Sequence, residues 1–592
     1  MLGRIKAIEE NTIVLELAQG VEAGTNLSNK YVSIENPENI CIGEIGDIKD
    51  NLAYINMQGE IINNKFVFGV IRKPSFNSMV RLIPDDKVPM IISADNSDES
   101  KYLYLGKSPV YQNIDVNVPI NSFFSNHFAI FGSTGSGKSS SVARIFQNLY
   151  NKKVSIPYKS TILIFDAYGE YHQAFSKVSE VCPEISFKSY TTNTKFSDTE
   201  IVKIPLWLLT VDDYALLLGV ESHNQLPIIE KALKIVSIFS KDEKEVIKSK
   251  NDIIARALLD IITSGKTASQ IRDQITSILS YYNTKELNLE TQIFQPGYTR
   301  TLKQCLIIDA SGKMREIELL MNFMNSFLDD SIELELPDGT FPYTLKNLYD
   351  ALDFALISEG VLKSDKIYDQ SNILKVRLHA LLNSSEAKYF DVPEYITKDQ
   401  YIKNLITATN GRKAQIINFN INYVDDRLAK TLTKIYSKMF FDYAKQLGER
   451  ASLPFHIILE EAHRYFQNDN DKFLLGYNIF DRITKEGRKY GVLLGLISQR
   501  PSELSETALS QCNNFLIFKM LHPNDITYIK EMVPNITDEI VRKIKILQPG
   551  TCIAFGLAFK VPTIIKFEMP DPAPSSSSAD IEATWFINKK AV

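Results

Sequence analysis

The sequence predicts an α/β protein in which a small N-terminal β-barrel precedes a parallel-sheet core, and the core carries an inserted helical subdomain. Three patterns along the 592 residues indicate this organisation. Short alternating runs come first, apolar runs ending at glycine or an acidic residue follow, and long amphipathic segments lie among them. A chain of this length exceeds what one hydrophobic core usually organises, so several domains or one interrupted core are expected.

The N-terminal region, residues 1–118, has the pattern of a small barrel or sandwich. Runs such as 12–15 (Thr-Ile-Val-Leu) and 66–71 are separated by Gly, Asn and Pro at short intervals. Short strands with frequent turn residues are typical of antiparallel β-domains. We therefore expect an N-terminal β-barrel here.

The sheet core is expected in two parts, residues 119–200 and residues 412–569. Its strands are predicted from four apolar runs, each followed by glycine or by a polar residue: 128–131, 162–165, 457–459 and 492–497. Runs that are apolar throughout, rather than alternating, suit parallel strands covered on both faces.

Between the two parts, residues 201–411 consist largely of amphipathic segments and are predicted to form the inserted helical subdomain. Residues 305–309 fit either a strand or the start of a helix. Residues 570–592 are predicted to be a Pro/Ser linker and a C-terminal tail containing Trp585 and Phe586. The tail is either a disordered terminus or a docking peptide for a neighbouring subunit.

Composition narrows the functional classes. The chain is 44% hydrophobic and 23% charged, with no apolar run long enough for a membrane helix. Its first residues lack a signal-peptide pattern, so a cytoplasmic location is expected. A net charge of −5 argues against a globally basic nucleic-acid binder, although locally basic loops remain possible. Five scattered cysteines suggest neither a zinc site nor a disulfide framework.

A phosphate-binding P-loop is the most specific motif, and residues 132–139 read Gly-Ser-Thr-Gly-Ser-Gly-Lys-Ser between a predicted strand and a predicted helix. Glycines let backbone N–H groups turn toward phosphates at a helix N-terminus. Lys138 is expected to reach the β- and γ-phosphates, and Ser139 to ligate Mg²⁺. ATP and Mg²⁺ are therefore the predicted cofactors. The predicted nucleotide-binding residues are Gly132, Ser133, Thr134, Gly135, Ser136, Gly137, Lys138, Ser139 and Ser140.

Two further strand ends supply the polar groups that hydrolysis needs. The run 457–459 is followed by Glu460 and Glu461, and we assign Glu460 to the metal with Ser139 and Glu461 to polarising the attacking water. The run 492–497 leads to Gln499, whose amide suits a contact with the γ-phosphate or the water. Glu461 and Gln499 are thus predicted catalytic residues.

Cations are concentrated upstream, in residues 482–490. They could complement a helix C-terminus, or they could contact nucleic acid or a nucleotide. We favour Arg488 as a catalytic arginine finger, because Gly487 is expected to end the helix and project Arg488 away from its own core.

The order of these motifs resembles the HerA family of hexameric P-loop DNA translocases, within the HerA/FtsK group. The resemblance rests on 132–139, 166–171 (Asp-Ala-Tyr-Gly-Glu-Tyr), 460–463 (Glu-Glu-Ala-His), 486–491, 498–501 (Ser-Gln-Arg-Pro) and 548–550 (Gln-Pro-Gly). Three positions depart from the family pattern: Ala167 and Tyr168 stand where Pro-His is usual, and Lys519 ends a strand where arginine is expected.

The resemblance implies a RecA-like ATPase core, a homo-hexamer with ATP bound between subunits, and double-stranded DNA in the channel. It also implies a partner effector, namely a NurA-type nuclease, another nuclease or a sirtuin-like NADase, in DNA-end processing or anti-phage defence. No membrane association is expected.

Three functional interpretations remain open. The first is an ATP-driven DNA translocase or helicase that works with a partner enzyme. The second is an ATP-regulated hexameric scaffold that assembles and controls an effector without sustained DNA movement. A secretion-type motor of the VirB4 kind is a third, which the lack of a membrane segment disfavours.

Overall fold

The computed structural model of the chain describes residues 1–21, 26–94, 98–111, 114–151, 155–195, 199–241, 243–332, 336, 339, 341–356, 365–466, 471–533, 536–575 and 581–585. Two compact units are present. The first comprises residues 1–191, 404–469 and 478–592, and the second comprises residues 192–403 and 470–477. The first segment of the second unit spans residues 192–403, whereas the predicted helical subdomain spans residues 201–411.

The first segment, residues 1–191, contains the following elements: β1 Gly3–Ile8, β2 Thr12–Leu17, β3 Tyr31–Glu35, β4 Ile40–Lys49, β5 Leu52–Ile62, β6 Lys65–Phe68, β7 Met79–Leu82, α1 Pro89–Ile92, β8 Tyr102–Lys107, β9 Asp115–Pro119, α2 Ile120–Phe124, β10 His127–Phe131, α3 Lys138–Tyr150, β11 Thr161–Asp166, α4 Tyr171–Phe175, α5 Val178–Val181 and β12 Phe187–Thr191.

The second unit is largely helical and carries one short hairpin. Its elements in residues 192–403 are β13 Glu200–Ile201, α6 Val211–Leu218, α7 Leu226–Ser240, α8 Glu243–Thr263, α9 Ala268–Tyr281, β14 Gln292–Gln295, β15 Tyr298–Thr301, α10 Leu302–Cys305, α11 Ile317–Asn325, α12 Leu345–Ala355, α13 Asp365–Leu382 and α14 Lys398–Leu405, whose last two residues belong to the first unit. The ambiguous stretch 305–309 follows a helix that ends at Cys305, and Ile308 forms an isolated bridge with Met314.

The remaining elements return to the first unit, apart from a short helix at 471–475. They are β16 Ile416–Asn420, α15 Asp426–Gln446, β17 Phe455–Leu459, α16 His463–Phe466, α17 Asp471–Leu475, α18 Ile479–Tyr490, β18 Val492–Ser498, α19 Glu506–Ser510, β19 Cys512–Phe518, α20 Pro523–Met532, α21 Asp538–Ile546, β20 Thr551–Gly556, β21 Thr563–Lys566 and α22 Ile581–Trp585. None of the helices in the described ranges is both long enough and apolar enough to span a membrane.

The N-terminal sheet is antiparallel, with strand order β1-β2-β5-β4-β3-β7 and with β6 paired to β5. Alternation is clearest in β5, where inward residues such as Ile55 are buried and their neighbours are partly exposed. The Leu2 N–H donates to the Val80 carbonyl at 2.8 Å, so the two end strands meet at that point.

The last strand of the N-terminal sheet ends at Leu82, whereas the predicted N-terminal domain extends to residue 118. Strands β8 and β9 pair with each other, and β8 pairs with β21, so both belong to the large sheet of the core. Alternating sequence predicts a half-buried strand but does not specify the sheet to which the strand belongs.

The core is a large mixed sheet in which β12, β16, β11, β17, β18, β10 and β19 are adjacent and parallel. It continues through the antiparallel strands β20, β21, β8 and β9. All four predicted core strands are present, and β10, β11 and β18 are buried along their whole length. Because neighbouring parallel strands end at one edge, the residues following β10, β11, β17 and β18 are brought together.

After the sheet, residues 570–575 pack on α3. Gln147 accepts the Asp571 N–H at 3.0 Å and donates to the Pro572 carbonyl at 2.9 Å. The Ser575 N–H then donates to the Glu170 carbonyl at 3.0 Å. In the tail, Trp585 is exposed at the end of α22, and Phe586 lies outside the described residues.

Candidate nucleotide-binding site

The P-loop connects β10 to α3, which begins at Lys138. Gly135 and Gly137 have φ angles of 72° and 99°, a region that favours glycine. A Cβ on Gly137 would lie 2.7 Å from the Gly550 nitrogen, whose N–H donates to the Ser136 carbonyl at 2.8 Å. The predicted Gln-Pro-Gly segment therefore buttresses the loop, and Gly137 permits that close approach.

Lys138 lies across the loop. Its Nζ donates to the Gly132 carbonyl at 2.8 Å and to the Ser133 carbonyl at 3.1 Å. Burial lowers the pKa of Lys138, while the nearby carboxylates of Glu461, Glu460 and Glu170 oppose the change. The ammonium is thus held beside the loop, where a P-loop lysine meets phosphate oxygens.

Glu460 follows β17 and lies within the acidic end of the sheet. Its Oε2 accepts the Ala167 N–H at 3.1 Å. Burial, followed by the charges of Asp166 and Glu170, raises the pKa of Glu460 well above its ordinary value. Ionised carboxylates that lie close together repel one another, so each makes ionisation of the others less favourable. A bound cation would offset this repulsion.

Glu461 is linked to the two other motifs through hydrogen bonds. The Gln499 Nε2 donates to Glu461 Oε1 at 3.1 Å, and the Thr134 hydroxyl donates to Gln499 Oε1 at 2.7 Å. The P-loop, the acidic strand end and the polar strand end thus form one continuous network. Glu461 also has a φ of 48°, which is uncommon for a residue other than glycine.

Two participants in this network were not predicted as site residues. His463 Nδ1 lies 3.1 Å from the Ser498 hydroxyl and 3.3 Å from Glu461 Oε2. Burial lowers the pKa of His463, which favours a neutral ring. Both residues belong to sequence motifs, Glu-Glu-Ala-His at 460–463 and Ser-Gln-Arg-Pro at 498–501. Their places beside Glu461 and Gln499 in those motifs were the sequence feature that pointed to a role in the site.

Arg488 is not brought together with these residues. Helix α18 continues through Gly487 and ends at Tyr490, with Gly491 in the left-handed conformation, so the prediction that Gly487 ends the helix was wrong. A Cβ on Gly487 would lie 2.3 Å from the Val492 carbonyl oxygen, so glycine serves a close helix–strand contact there.

The exposed Arg488 lies before β18, whereas Gln499 follows that strand, which places the two about 20 Å apart. Near Arg488 lies His127, at the start of β10. Burial lowers the pKa of His127 to about 4, and the charge of Arg488 adds to the effect.

The residues fit a magnesium–nucleotide complex. The loop has a helix N-terminus, a lysine and a serine, and the buried Ser136 hydroxyl has no hydrogen-bond partner among the described residues. In the part of the chain that the structure describes, no group of three or more His, Cys, Asp or Glu side chains is arranged to hold a metal alone. Magnesium usually binds through one or two carboxylates together with phosphates and water, so this arrangement suits it.

The chain is similar in sequence to known proteins over most of its length. Residues 103–329 match the family model described as the central domain of the helicase HerA, and the match begins inside β8. A probable helicase of Methanocaldococcus jannaschii is 23% identical, over 99% of this chain and 90% of its own. The DNA double-strand break repair helicase HerA of Pyrococcus furiosus is 23% identical, over 88% of this chain and 78% of its own. Among solved structures, VirB4 of Thermoanaerobacter pseudethanolicus is 11% identical, with a TM-score of 0.43, over 83% of this chain and 99% of its own.

Proposed function

We propose that the chain is a member of the HerA family of helicases and that it is an ATP-driven motor that moves double-stranded DNA through a homo-hexameric ring. It is an ATPase of the helicase class. The observation that carries the proposal is the network from Thr134 through Gln499 to Glu461, because it connects the nucleotide loop to a carboxylate and to a polar strand end. A site that only bound nucleotide would not need these two groups beside the loop.

Each residue has a defined role in this proposal. Backbone N–H groups of residues 132–140 bind the phosphates, and Lys138 neutralises charge on the β- and γ-phosphates. Ser139 and Glu460 would hold Mg²⁺, which neutralises charge that develops on the transferring phosphate when it is bound. Glu461 orients and polarises the attacking water, and Gln499 reports the change at the γ-phosphate to β18.

Arg488 is proposed to complete the site of a neighbouring subunit. Its distance from its own P-loop, about a strand length, excludes a contact within one chain in this conformation. A guanidinium supplied across an interface stabilises the negative charge of the phosphoryl transition state.

The N-terminal sheet is proposed to dock the partner effector, a nuclease of the NurA or another type or a sirtuin-like NADase. An apolar surface on β6 and the segment after it supports this, because Val67, Phe68, Ile71 and Phe76 are all exposed, Ile71 by 90%. Exposed apolar patches mark interaction surfaces. Deleting residues through Pro109 is a poor test, because β8 would be lost from the core sheet.

Point substitution tests the partner directly. Phe76→Asp should abolish co-purification of the effector from the native host, while Phe294→Asp, at a similarly exposed aromatic position in the other unit, should retain it. Retention of the effector by Phe76→Asp and by Ile71→Asp would contradict docking on this surface.

The alternative function is an ATP-regulated scaffold without sustained DNA movement, and it would use the same site residues. The two are separated by measuring ATP turnover at low salt with increasing duplex DNA, using Lys138→Ala as the inactive control. A motor should be stimulated by DNA, with the stimulation lost at high salt because phosphate contacts are screened. ATP turnover that does not change with added DNA but rises with added effector would favour the scaffold.

A further inference from the structure

His463 and Ser498 lie beside the carboxylate proposed as the base, but the mechanism above gives them no role. His463 is the first residue of α16, two residues after Glu461, and Ser498 is the last residue of β18. Both are buried, with exposed fractions of 9% for His463 and 0% for Ser498. Buried polar side chains are normally hydrogen-bonded for structural reasons alone. The contacts of the His463 ring therefore have to show whether it does more.

The two carboxylate oxygens of Glu461 have different surroundings. Oε1 accepts the Gln499 amide at 3.1 Å, and Gln499 in turn accepts the Thr134 hydroxyl, so Oε1 lies on the side of the P-loop. Oε2 is buried and has no hydrogen bond of good geometry among the residues that the structure describes. His463 Nδ1 lies 3.3 Å from this oxygen. Because a buried charged oxygen without a partner is destabilising, a donor within reach has a clear purpose there.

Ser498 holds the His463 ring from the neighbouring strand. Its hydroxyl oxygen lies 3.1 Å from His463 Nδ1 and accepts the Arg500 N–H at 2.9 Å. A neutral imidazole carries its single proton on one of its two nitrogens. A proton on Nδ1 can be donated to the two nearby oxygens, whereas a bare Nδ1 would set its lone pair against those of an ionised carboxylate. The contacts therefore favour the form with the proton on Nδ1.

We propose that His463 is a positioning residue, whose Nδ1–H group holds Glu461 Oε2 while Oε1 is presented to Gln499 and the attacking water. Contacts at both oxygens stop the carboxylate from rotating. A general base works only within about 2.6–3.2 Å of the group whose proton it takes, so this restraint serves the reaction. The role rests on the proposed function and adds to it the group that orients the base.

The competing role for His463 is purely structural, as a support of the turn between β17 and α16. The two roles differ in what they affect. A positioning residue affects the rate of hydrolysis and acts only through Glu461. A structural residue affects nucleotide affinity and folding stability as well, and its loss adds to the loss of Glu461.

Steady-state hydrolysis and the affinity for a non-hydrolysable ATP analogue, both measured on the full chain, separate these effects. For His463→Leu we expect kcat to fall by up to about 100-fold, as for a catalytic group displaced by about 1 Å, with KM and analogue affinity unchanged. In the Glu461→Gln background, His463→Leu should reduce the residual turnover no further, because residues that act as a unit are not additive.

Two conservative variants test the ring nitrogen itself. The amide nitrogen of His463→Asn can occupy the position of Nδ1, whereas that of His463→Gln reaches the position of Nε2 instead. His463→Asn should therefore retain more turnover than His463→Gln. This comparison also decides the matter if His463→Leu does not fold, and equal turnover of the two variants would contradict the proposal.

His456 supplies a matched control on the same strand. It lies near the start of β17, and its Nε2 is 2.7 Å from the Phe124 carbonyl. His456→Leu removes a histidine contact at the opposite end of the strand from Glu461. Chemical denaturation should show a lower free energy of unfolding for this variant, while kcat should match that of the wild type.

Three results would overturn the positioning role of His463. They are an affinity for the analogue that falls as far as kcat in His463→Leu, a further loss of turnover in the Glu461→Gln background, and an unchanged kcat in His463→Leu. If the wild type itself did not hydrolyse ATP, the proposed function would fail and the role of His463 with it. Turnover of the wild type therefore distinguishes the two failures.

Discussion

Glu461 shows how the local backbone serves the chemistry of the site. Its left-handed conformation costs of the order of 1–3 kcal/mol for a residue with a side chain. Bonds on either side maintain it: the Glu460 N–H donates to the Phe165 carbonyl, and the Ala462 N–H to the Ile497 carbonyl at 2.8 Å. Burial raises the pKa of Glu461 although Lys138 lowers it, and a carboxylate with a raised pKa is a better base.

Replacing Glu461 by glutamine should therefore separate binding from hydrolysis. Glu461→Gln keeps volume and hydrogen-bonding capacity but loses the base, so ATP should bind and persist while turnover falls about 10²- to 10⁴-fold. Equilibrium binding and single-turnover hydrolysis measure the two steps. Glu531→Gln, at an exposed position on α20, is the control. If Glu461→Gln no longer bound ATP, the residue would be structural and its assigned role would be wrong.

At the scale of elements, the strands of the core could be predicted because their sequences are apolar throughout, as in β10 and β18. The convergence of Glu461 and Gln499 on the P-loop also followed, since parallel strands end at one edge. The sheet to which β8 belongs could not be predicted, because pairing depends on β21, more than 400 residues away in the chain. The contact of His463 with Glu461 likewise depends on the turn between β17 and α16.

The prediction of where α18 ends was the clearest error among the elements. The structural reason for glycine at position 487 can be tested. Gly487 was interpreted as a helix stop, but it lies inside the helix against the Val492 carbonyl. Alanine would improve helix propensity by about 1 kcal/mol. It would also place a methyl group 2.3 Å from a backbone oxygen, which requires a shift of the helix or the strand.

Gly487→Ala should therefore lower the free energy of unfolding by about 1–3 kcal/mol despite the better propensity, because overpacking against a backbone exceeds the gain. Chemical denaturation of the two variants Gly487→Ala and Gly448→Ala provides the measurement. Gly448 lies after α15, and a Cβ there meets nothing within 4 Å, so its alanine variant should be neutral or slightly more stable. Equal stability of both variants would show that α18 can move away from β18 without cost.

For the whole molecule, the groups proposed for catalysis lie at opposite edges of one sheet. The P-loop, Glu461 and Gln499 are at the carboxyl ends of the strands, while Arg488 lies beside the amino ends. A single chain arranged in this way does not complete its own site. Head-to-tail contacts that present one edge of the sheet to the opposite edge in the next subunit would complete it, and such heterologous contacts form a ring when the rotation between subunits closes. Activity should therefore depend on assembly.

Mixing two inactive variants tests this dependence. Arg488→Ala should leave ATP binding and assembly largely intact while turnover falls about 10³-fold or more, because the transition-state charge loses its partner. Lys138→Ala should be inactive through loss of phosphate binding. In randomly mixed rings, about a quarter of the interfaces join an intact P-loop to an intact Arg488. ATP turnover of the mixture should recover in part, well above the sum of the separate variants.

The control mixes Lys138→Ala with Glu461→Gln, two defects in the same half of the site, and should recover nothing because no interface then has an intact P-loop half. If rings that demonstrably contain both Arg488→Ala and Lys138→Ala remain inactive, Arg488 does not act across the interface, and contact with DNA becomes its remaining role.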